Sequence, residues 1–95
     1  MLALSPTEIQ QHLANLPNWI YNEKKNCLQR RVKFSNYYQT MAFVNALAFI
    51  AHQKDHHPDL EVSYQHCVIS YSTHDANGIT MKDINSAMEI DKLVA

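Results

Sequence analysis

Apolar and polar residues alternate along the chain with two different periods, and the changes of period divide it into seven elements. The segment Ser5-Pro6-Thr7-Glu8 has the features of a helix start, because a serine can cap, a proline suits the first helical position and a glutamate completes a capping box. Apolar residues then follow at helical spacing, at Ile9, Leu13 and Leu16. We expect Pro17 to end this first helix near Leu16.

Two strands are predicted between Trp19 and Phe34. Trp19-Ile20-Tyr21 is a short β-prone run, residues 22–26 read as a polar turn, and residues 27–34 alternate between apolar and polar positions. One side of the second strand should therefore face the core, namely the side that carries Leu28, Arg30, Val32 and Phe34.

A long helix is predicted next, from an N-cap at Ser35 to about Lys54. Its apolar residues cover more than one helical face: Tyr38, Met41, Ala42, Phe43, Val44, Leu47, Ala48, Ile50 and Ala51. A helix that is apolar nearly all round is buried on more than one side. In a chain of 95 residues this indicates that a second chain covers part of the helix.

The last third of the chain predicts a second hairpin and a third helix. Residues 60–64 and 67–73 alternate, with Gln65-His66 as the turn between them. Asn77-Gly78 is a further turn signal, and Thr80-Met81-Lys82-Asp83 is a capping box that opens the final helix.

The order of elements is therefore α-β-β-α-β-β-α, which favours a single α+β domain over residues 1–95. We expect a four-stranded antiparallel sheet with three helices packed on one face. The exposed edges of so small a sheet invite pairing between chains, which again favours a homo-oligomer.

Composition and charge narrow the classes of function. The chain has 8 basic and 9 acidic residues and no basic run longer than two, which argues against direct binding of nucleic acid. The longest apolar stretch, 41–51, is far shorter than a membrane span, and the N-terminus lacks the basic region of a signal peptide. Cys27 and Cys67 have no metal or redox spacing, so reduced thiols in a cytoplasmic protein are expected.

Six histidines are the main chemical feature of the chain. His56-His57-Pro58-Asp59 stands where the long helix ends, Thr73-His74-Asp75 stands where a strand ends, and Asp83 opens the last helix. Several imidazoles with a carboxylate and no cofactor motif favour general acid–base chemistry near neutral pH, with no cofactor. Plainer roles are open too: a helix C-terminus favours a protonated histidine, and Asp83 is explained by capping alone.

A metal site is the main competing interpretation of the histidines. His52 and His56 share one helical face, and His57 and His74 are candidate third and fourth ligands. However, Gln53 stands where the zinc metalloprotease motif has its glutamate, so we expect no native metal site. Nucleophilic catalysis is disfavoured as well, because no serine sits on a glycine-flanked elbow.

The histidines, Asp83 and their neighbours together resemble the pterin-4a-carbinolamine dehydratases, a family also known as the dimerisation cofactor of a hepatocyte nuclear factor. His74 follows His57 by 17 positions, and Asp83 follows His74 by nine. The resemblance covers nearly the whole chain and is carried by His56-His57-Pro58-Asp59, Tyr64, Ser72-Thr73-His74, Gly78, Thr80 and Asp83, with Trp19 after the first helix.

The resemblance implies a reaction and a set of partners. The family dehydrates 4a-hydroxytetrahydropterin to quinonoid dihydropterin and water, which recycles the pterin after hydroxylation of an aromatic amino acid. A homodimer or homotetramer and a functional link to such a hydroxylase are implied too. The alternative is a non-catalytic binding and dimerisation module on the same fold, similar to a transcriptional coactivator. The physiological pterin and the division of acid and base roles among the histidines stay open.

The resemblance also assigns roles to residues. It makes His56, His57 and His74 the active-site histidines, and it makes Asp83 the carboxylate that orients a histidine. Other residues would line the pterin pocket: Asp55, Ser72, Thr73 and Asp75, with Trp19 as either a pocket wall or a core residue. Two positions depart from the family pattern, since His52 stands where a glutamate is common and Leu60 replaces a common tryptophan.

Overall fold

The computed structural model describes residues 2–94, and the predicted element order is confirmed there. Its helices and strands are α1 (Pro6–Leu13), β1 (Ile20–Asn22), β2 (Cys27–Lys33), α2 (Tyr37–Lys54), β3 (Asp59–Val62), β4 (His66–Tyr71) and α3 (Met81–Asp91), with a short 3-10 turn at His74–Ala76. The fold is the expected α+β arrangement. Met1 and Ala95, the ends of the expected domain, lie outside the described residues.

The four strands form one antiparallel sheet in the order β1-β2-β4-β3. In the central pair, Leu28 lies opposite Tyr71 and Val32 lies opposite Cys67, and all four side chains are buried. The predicted inward face of β2 is therefore correct. Strands β2 and β4 are central, and α2 connects β2 to the outer strand β3. The C-terminal end of α2 therefore lies next to the sheet.

Several element ends differ from the sequence prediction for local reasons. The α2 N-cap is Asn36 rather than Ser35, because the Asn36 side chain accepts a hydrogen bond from the Gln39 backbone at 2.9 Å. The second hairpin turns at residues 64–65, one residue earlier than predicted, where the Ser63 backbone N–H donates to the His66 carbonyl. Strand β4 ends at Tyr71, and Thr73 instead forms an isolated bridge with Gly78.

The core lies between the sheet and the helices, and one polar cluster joins the two layers. The indole of Trp19 donates to Asp91 of α3 at 2.8 Å, and Arg30 of β2 forms an ion pair with the same carboxylate. The apolar part of the core is built from α1, α2, α3 and the inward face of the sheet: Ile9, Phe43, Leu47, Ile69, Ile84, Ala87 and Ile90.

One face of α2 stays exposed although it is largely apolar. Tyr38 and Phe49 are 81% and 65% exposed, and α2 has no Asp, Glu, Lys or Arg before Lys54. The predicted excess of apolar surface on this helix is therefore present. Within residues 2–94, no helix combines the length and the hydrophobicity that crossing a membrane requires.

Candidate active site

A cleft of about 330 Å³ opens where α2 ends and the chain turns into β3. This volume lies at the lower end of the range for small-molecule sites. Its lining combines apolar side chains with ionisable groups; the lining residues are Leu47, Ala48, Ala51, His52, Asp55, His56, His57, Pro58 and Leu60. A mainly apolar lining with a few polar groups is typical of a site for a partly polar small molecule.

The end of α2 sets the direction of the paired histidines. Asp55 adopts a left-handed conformation, with φ 50° and ψ 43°. Its N–H donates to the His52 carbonyl at 3.1 Å, and the His56 N–H donates to the Ala51 carbonyl at 3.1 Å. These two bonds form a Schellman motif, which ends the helix sharply. As a result His56 turns inward, with its side chain 12% exposed, whereas its neighbour His57 faces solvent.

His56 forms a short hydrogen bond with a buried carboxylate. Its Nε2 lies 2.6 Å from Oδ1 of Asp83, and the Asp83 side chain is fully buried. A hydrogen bond of this length between an imidazole and a carboxylate is typical of a charge-assisted pair. The expectation that Asp83 orients a histidine therefore has a geometric basis in the His56–Asp83 contact.

Asp83 also caps α3, so the capping role and the contact with His56 occur in the same side chain. Its second oxygen, Oδ2, accepts from the Thr80 backbone N–H at 2.9 Å and from the Thr73 hydroxyl at 2.8 Å. The predicted capping box at Thr80 is thereby confirmed. Two donors on Oδ2 and the imidazole on Oδ1 are the surroundings of an ionised carboxylate, which only accepts hydrogen bonds.

The hydrogen bonds around Asp83 determine which group is the donor and which is the acceptor in each contact. Because the Thr73 hydroxyl donates to Asp83, the Thr80 hydroxyl must donate to Thr73 across their 2.8 Å contact. By the same reasoning, the neutral imidazole of His56 carries its proton on Nε2, an assignment made from the hydrogen bonds. Its Nδ1 is then left to exchange a proton with a ligand.

Only some of the other residues that sequence analysis singled out lie at this cleft. His57 and Asp55 line the cleft. Thr73 does not line it, but its hydroxyl binds Asp83, which in turn contacts His56. His74 begins the 3-10 turn directly after Thr73 and is exposed, as is Asp75, whereas Ser72 is half-buried. These last three residues are not among those that line the cleft.

Trp19 lies in the core and forms no wall of the cleft. It is 3% exposed, its indole is bound to Asp91, and its ring packs against Tyr71 with centroids 6.5 Å apart. Of the two roles considered for Trp19, the structure therefore supports the core role. The physical reason is that the Asp91 carboxylate of α3 satisfies the indole N–H, so the ring can be buried without an unpaired polar group.

Sequence reasoning missed two parts of the site. The apolar wall formed by Leu47, Ala48 and Ala51 was assigned only to helix packing, since nothing in helical periodicity distinguishes a core face from a cleft wall. Tyr71, which lies against the His56 ring, was assigned only to the alternation of a strand. Within residues 2–94, no group of three or more His, Cys, Asp or Glu side chains is arranged to hold a metal ion.

Comparisons with known proteins show the family to which the chain belongs. Residues 2–93 match the model of the family described as pterin 4 alpha carbinolamine dehydratase. A relative from Paracidovorax citrulli named "Putative pterin-4-alpha-carbinolamine dehydratase" is 46% identical over 95 residues, which cover 98% of this chain and 82% of that protein. A protein of the same name from Bdellovibrio bacteriovorus is 47% identical and covers 96% of this chain and 78% of its own length.

Two solved structures share the fold. A transcriptional coactivator/pterin dehydratase from Brucella melitensis has a TM-score of 0.93 at 26% identity, covering 98% of this chain and 99% of that one. A pterin dehydratase-like protein described as a RuBisCO assembly factor in the alpha-carboxysome has a TM-score of 0.71 at 24% identity, covering 82% and 90%, and supports the fold alone. By its sequence match over nearly the whole chain, this protein belongs to the pterin 4 alpha carbinolamine dehydratase family.

Proposed function

We propose that this chain dehydrates 4a-hydroxytetrahydropterin to quinonoid dihydropterin by general acid–base catalysis, as part of tetrahydropterin recycling in the cytoplasm beside an aromatic amino acid hydroxylase. The observation that supports it best is the His56–Asp83 pair, at 2.6 Å, beside a cleft that His57 also lines. The reaction is proposed from membership of the family. The cleft contains ionisable groups of the kind that this reaction needs.

The reaction requires two proton transfers and no change of oxidation state. The proton on N5 of the pterin leaves to a base, and its electron pair forms the N5=C4a double bond. The C4a–O bond breaks, and the departing hydroxyl takes a proton from an acid and leaves as water. Each positioned acid or base contributes typically about 10²–10⁴-fold to the rate.

His56 is suited to accept a proton in this scheme. Because the Asp83 carboxylate binds Nε2–H, it stabilises the imidazolium that forms when Nδ1 takes a proton. His57, exposed at the mouth of the cleft, and His74, which follows Thr73, are the candidates for the second proton transfer. The assignment of acid and base is left to experiment.

The test replaces each histidine separately and follows formation of quinonoid dihydropterin from chemically generated 4a-hydroxytetrahydropterin by its ultraviolet absorbance. We expect His56→Gln, His57→Gln and His74→Gln each to lower the enzymatic rate by at least about 10-fold. His66→Gln, at the start of β4 away from the cleft, is the matched control and should retain the wild-type rate. A folded wild-type protein that does not accelerate the reaction would refute the proposal.

The exposed apolar face of α2 supports a second part of the proposal, that copies of the chain assemble through this helix as a homodimer or homotetramer. The alternative function is a binding module without catalysis. It is supported by the similar structure from Brucella melitensis, which is described as a transcriptional coactivator as well as a pterin dehydratase. The histidine variants separate the two functions, because a pure binding module would not depend on His56, His57 or His74.

A further inference from the structure

Tyr71 is a buried residue to which the proposed reaction assigns no role, and it lies directly against the His56 ring. It is the last residue of β4 and is fully buried. Its ring stacks on the His56 imidazole with centroids 5.1 Å apart and an angle of 29° between planes. The Trp19 ring also packs against it, with centroids 6.5 Å apart. Strand β4 and the core thus fix the position of the Tyr71 ring, and the His56 imidazole stacks against it.

The Tyr71 hydroxyl makes a second contact with the same residue. It donates a hydrogen bond to the His56 carbonyl oxygen at 3.2 Å. This carbonyl lies just past the left-handed residue that ends α2, and so it falls outside the hydrogen-bond ladder of the helix. Burial raises the pKa of Tyr71, a hydrogen bond with Ser86 partly offsets this, and the Asp83 charge raises it further. The phenol therefore stays protonated and remains a donor at neutral pH.

These contacts restrain His56 in complementary ways. The stacked ring limits rotation of the imidazole plane, the hydroxyl holds the backbone, and Asp83 determines which nitrogen points inward. An apolar ring at position 71 would be enough to fill the core. The hydroxyl of Tyr71 is explained by its hydrogen bond to the His56 carbonyl oxygen.

We propose that Tyr71 is a positioning residue for His56, holding its imidazole so that Nδ1 faces the cleft in one orientation. Its effect on turnover rests on the proposed dehydratase function, whereas its effect on the His56 ring does not. A displacement of a reacting group of about 1 Å can cost a large factor in rate, so a residue that restrains the ring affects kcat more than substrate binding.

The experiment compares Tyr71→Leu, which removes the ring, with Tyr71→Phe, which removes only the hydroxyl. Cys67→Ala, a buried change on the same strand, is the matched control for loss of core packing. Nuclear magnetic resonance of histidine-labelled protein without substrate reports on the ring directly, with the His56 signals assigned by their loss in His56→Gln. Stacking predicts upfield-shifted His56 ring protons in the wild type and in Tyr71→Phe, and loss of that shift in Tyr71→Leu.

Kinetics of the folded variants supply the second readout. We expect Tyr71→Leu to lower kcat by about 10-fold with little change in KM, Tyr71→Phe to lower it by a smaller factor, and Cys67→Ala to leave both unchanged. If the wild type shows the ring shift but no dehydratase activity, the positioning role stands and the proposed function falls. If His56 shows no upfield shift in the wild type, the positioning role is wrong, and this result does not depend on whether Tyr71→Leu folds.

Discussion

At the scale of single residues, Asp83 combines two roles that usually belong to different side chains. One oxygen completes the capping box of α3, and the other binds His56 across 27 positions of sequence. The chain contains a second capping box, Ser5 with Glu8, which is exposed and lies in α1. The two boxes have the same local pattern, so they allow the capping role of Asp83 to be separated from its proposed effect on His56.

We predict that Asp83→Asn will lower kcat by about 10²–10⁴-fold, because a neutral amide cannot stabilise the His56 imidazolium. It should also lower the free energy of unfolding by about 2–4 kcal/mol, since the amide nitrogen meets donors in a buried site. Dehydration assays and urea unfolding measure the two effects.

Glu8→Gln is the control for this change, because it alters the same position of the exposed capping box. It should keep the wild-type rate and lose little stability. Equal losses of rate in Asp83→Asn and Glu8→Gln would show that the Asp83 effect is general weakening of the fold.

At the scale of elements, the end of α2 decides where the histidines point. Asp55 holds the left-handed conformation that glycine adopts most easily, and it also lines the cleft. We infer that the Asp55 carboxylate contacts the ligand, as the family resemblance implies.

Asp55→Gly and Asp55→Ala separate backbone conformation from side-chain chemistry. Ala should lower the free energy of unfolding by about 1 kcal/mol, because it lacks the short polar side chain that lets Asp tolerate the left-handed region, whereas Gly, which has no Cβ, should match or exceed the wild type. Both should raise KM to a similar degree, because both lack the carboxylate. Asn77→Gly, at a second left-handed position with φ 54°, should leave KM unchanged. An unaltered KM in Asp55→Gly would remove Asp55 from the binding site.

The parts of the fold that depend on local pattern were predictable from the sequence. Both capping boxes, the inward face of β2 and the stop after Lys54 follow from residues within a few positions of one another. The contact between His56 and Asp83 depends on the long-range packing of α2 against α3 and the sheet. No local pattern indicates this contact, and only the family resemblance suggested it. The core position of Trp19 and the stacking of Tyr71 depend on packing in the same way, so periodicity could not assign them.

At the scale of the whole molecule, two buried thiols link stability to alkaline pH. Burial raises the pKa of Cys27 and of Cys67 above the ordinary value of 9.0. The folded protein therefore keeps protons that the unfolded chain releases above that pH. Their contribution to stability is complete below about pH 8 and is lost as the pH rises through 9 and beyond.

We predict that the free energy of unfolding, measured with urea under reducing conditions, falls between about pH 8 and pH 10. A variant with both Cys27→Ala and Cys67→Ala should be less stable at pH 7 and show a flatter dependence over this range. Identical slopes in the two proteins would mean that the thiols do not titrate differently in the folded and unfolded states.

The exposed face of α2 leads to a prediction about assembly. If copies of the chain meet there, Phe49→Glu should shift the mass measured by light scattering toward the monomer, because a charge would be buried against an apolar surface. Leu2→Glu, at a position 90% exposed and outside α2, should keep the wild-type mass. A wild type that is monomeric at all concentrations would contradict the proposed homo-oligomer.

One comparison tests whether the Asp83-bound His56 takes part in dehydration of a 4a-hydroxytetrahydropterin. The initial rate of quinonoid dihydropterin formation is measured with wild type, His56→Gln and His66→Gln at equal folded concentration. We predict clear acceleration by wild type and His66→Gln, and a rate lower by about 10²-fold with His56→Gln. Equal acceleration by wild type and His56→Gln would contradict it.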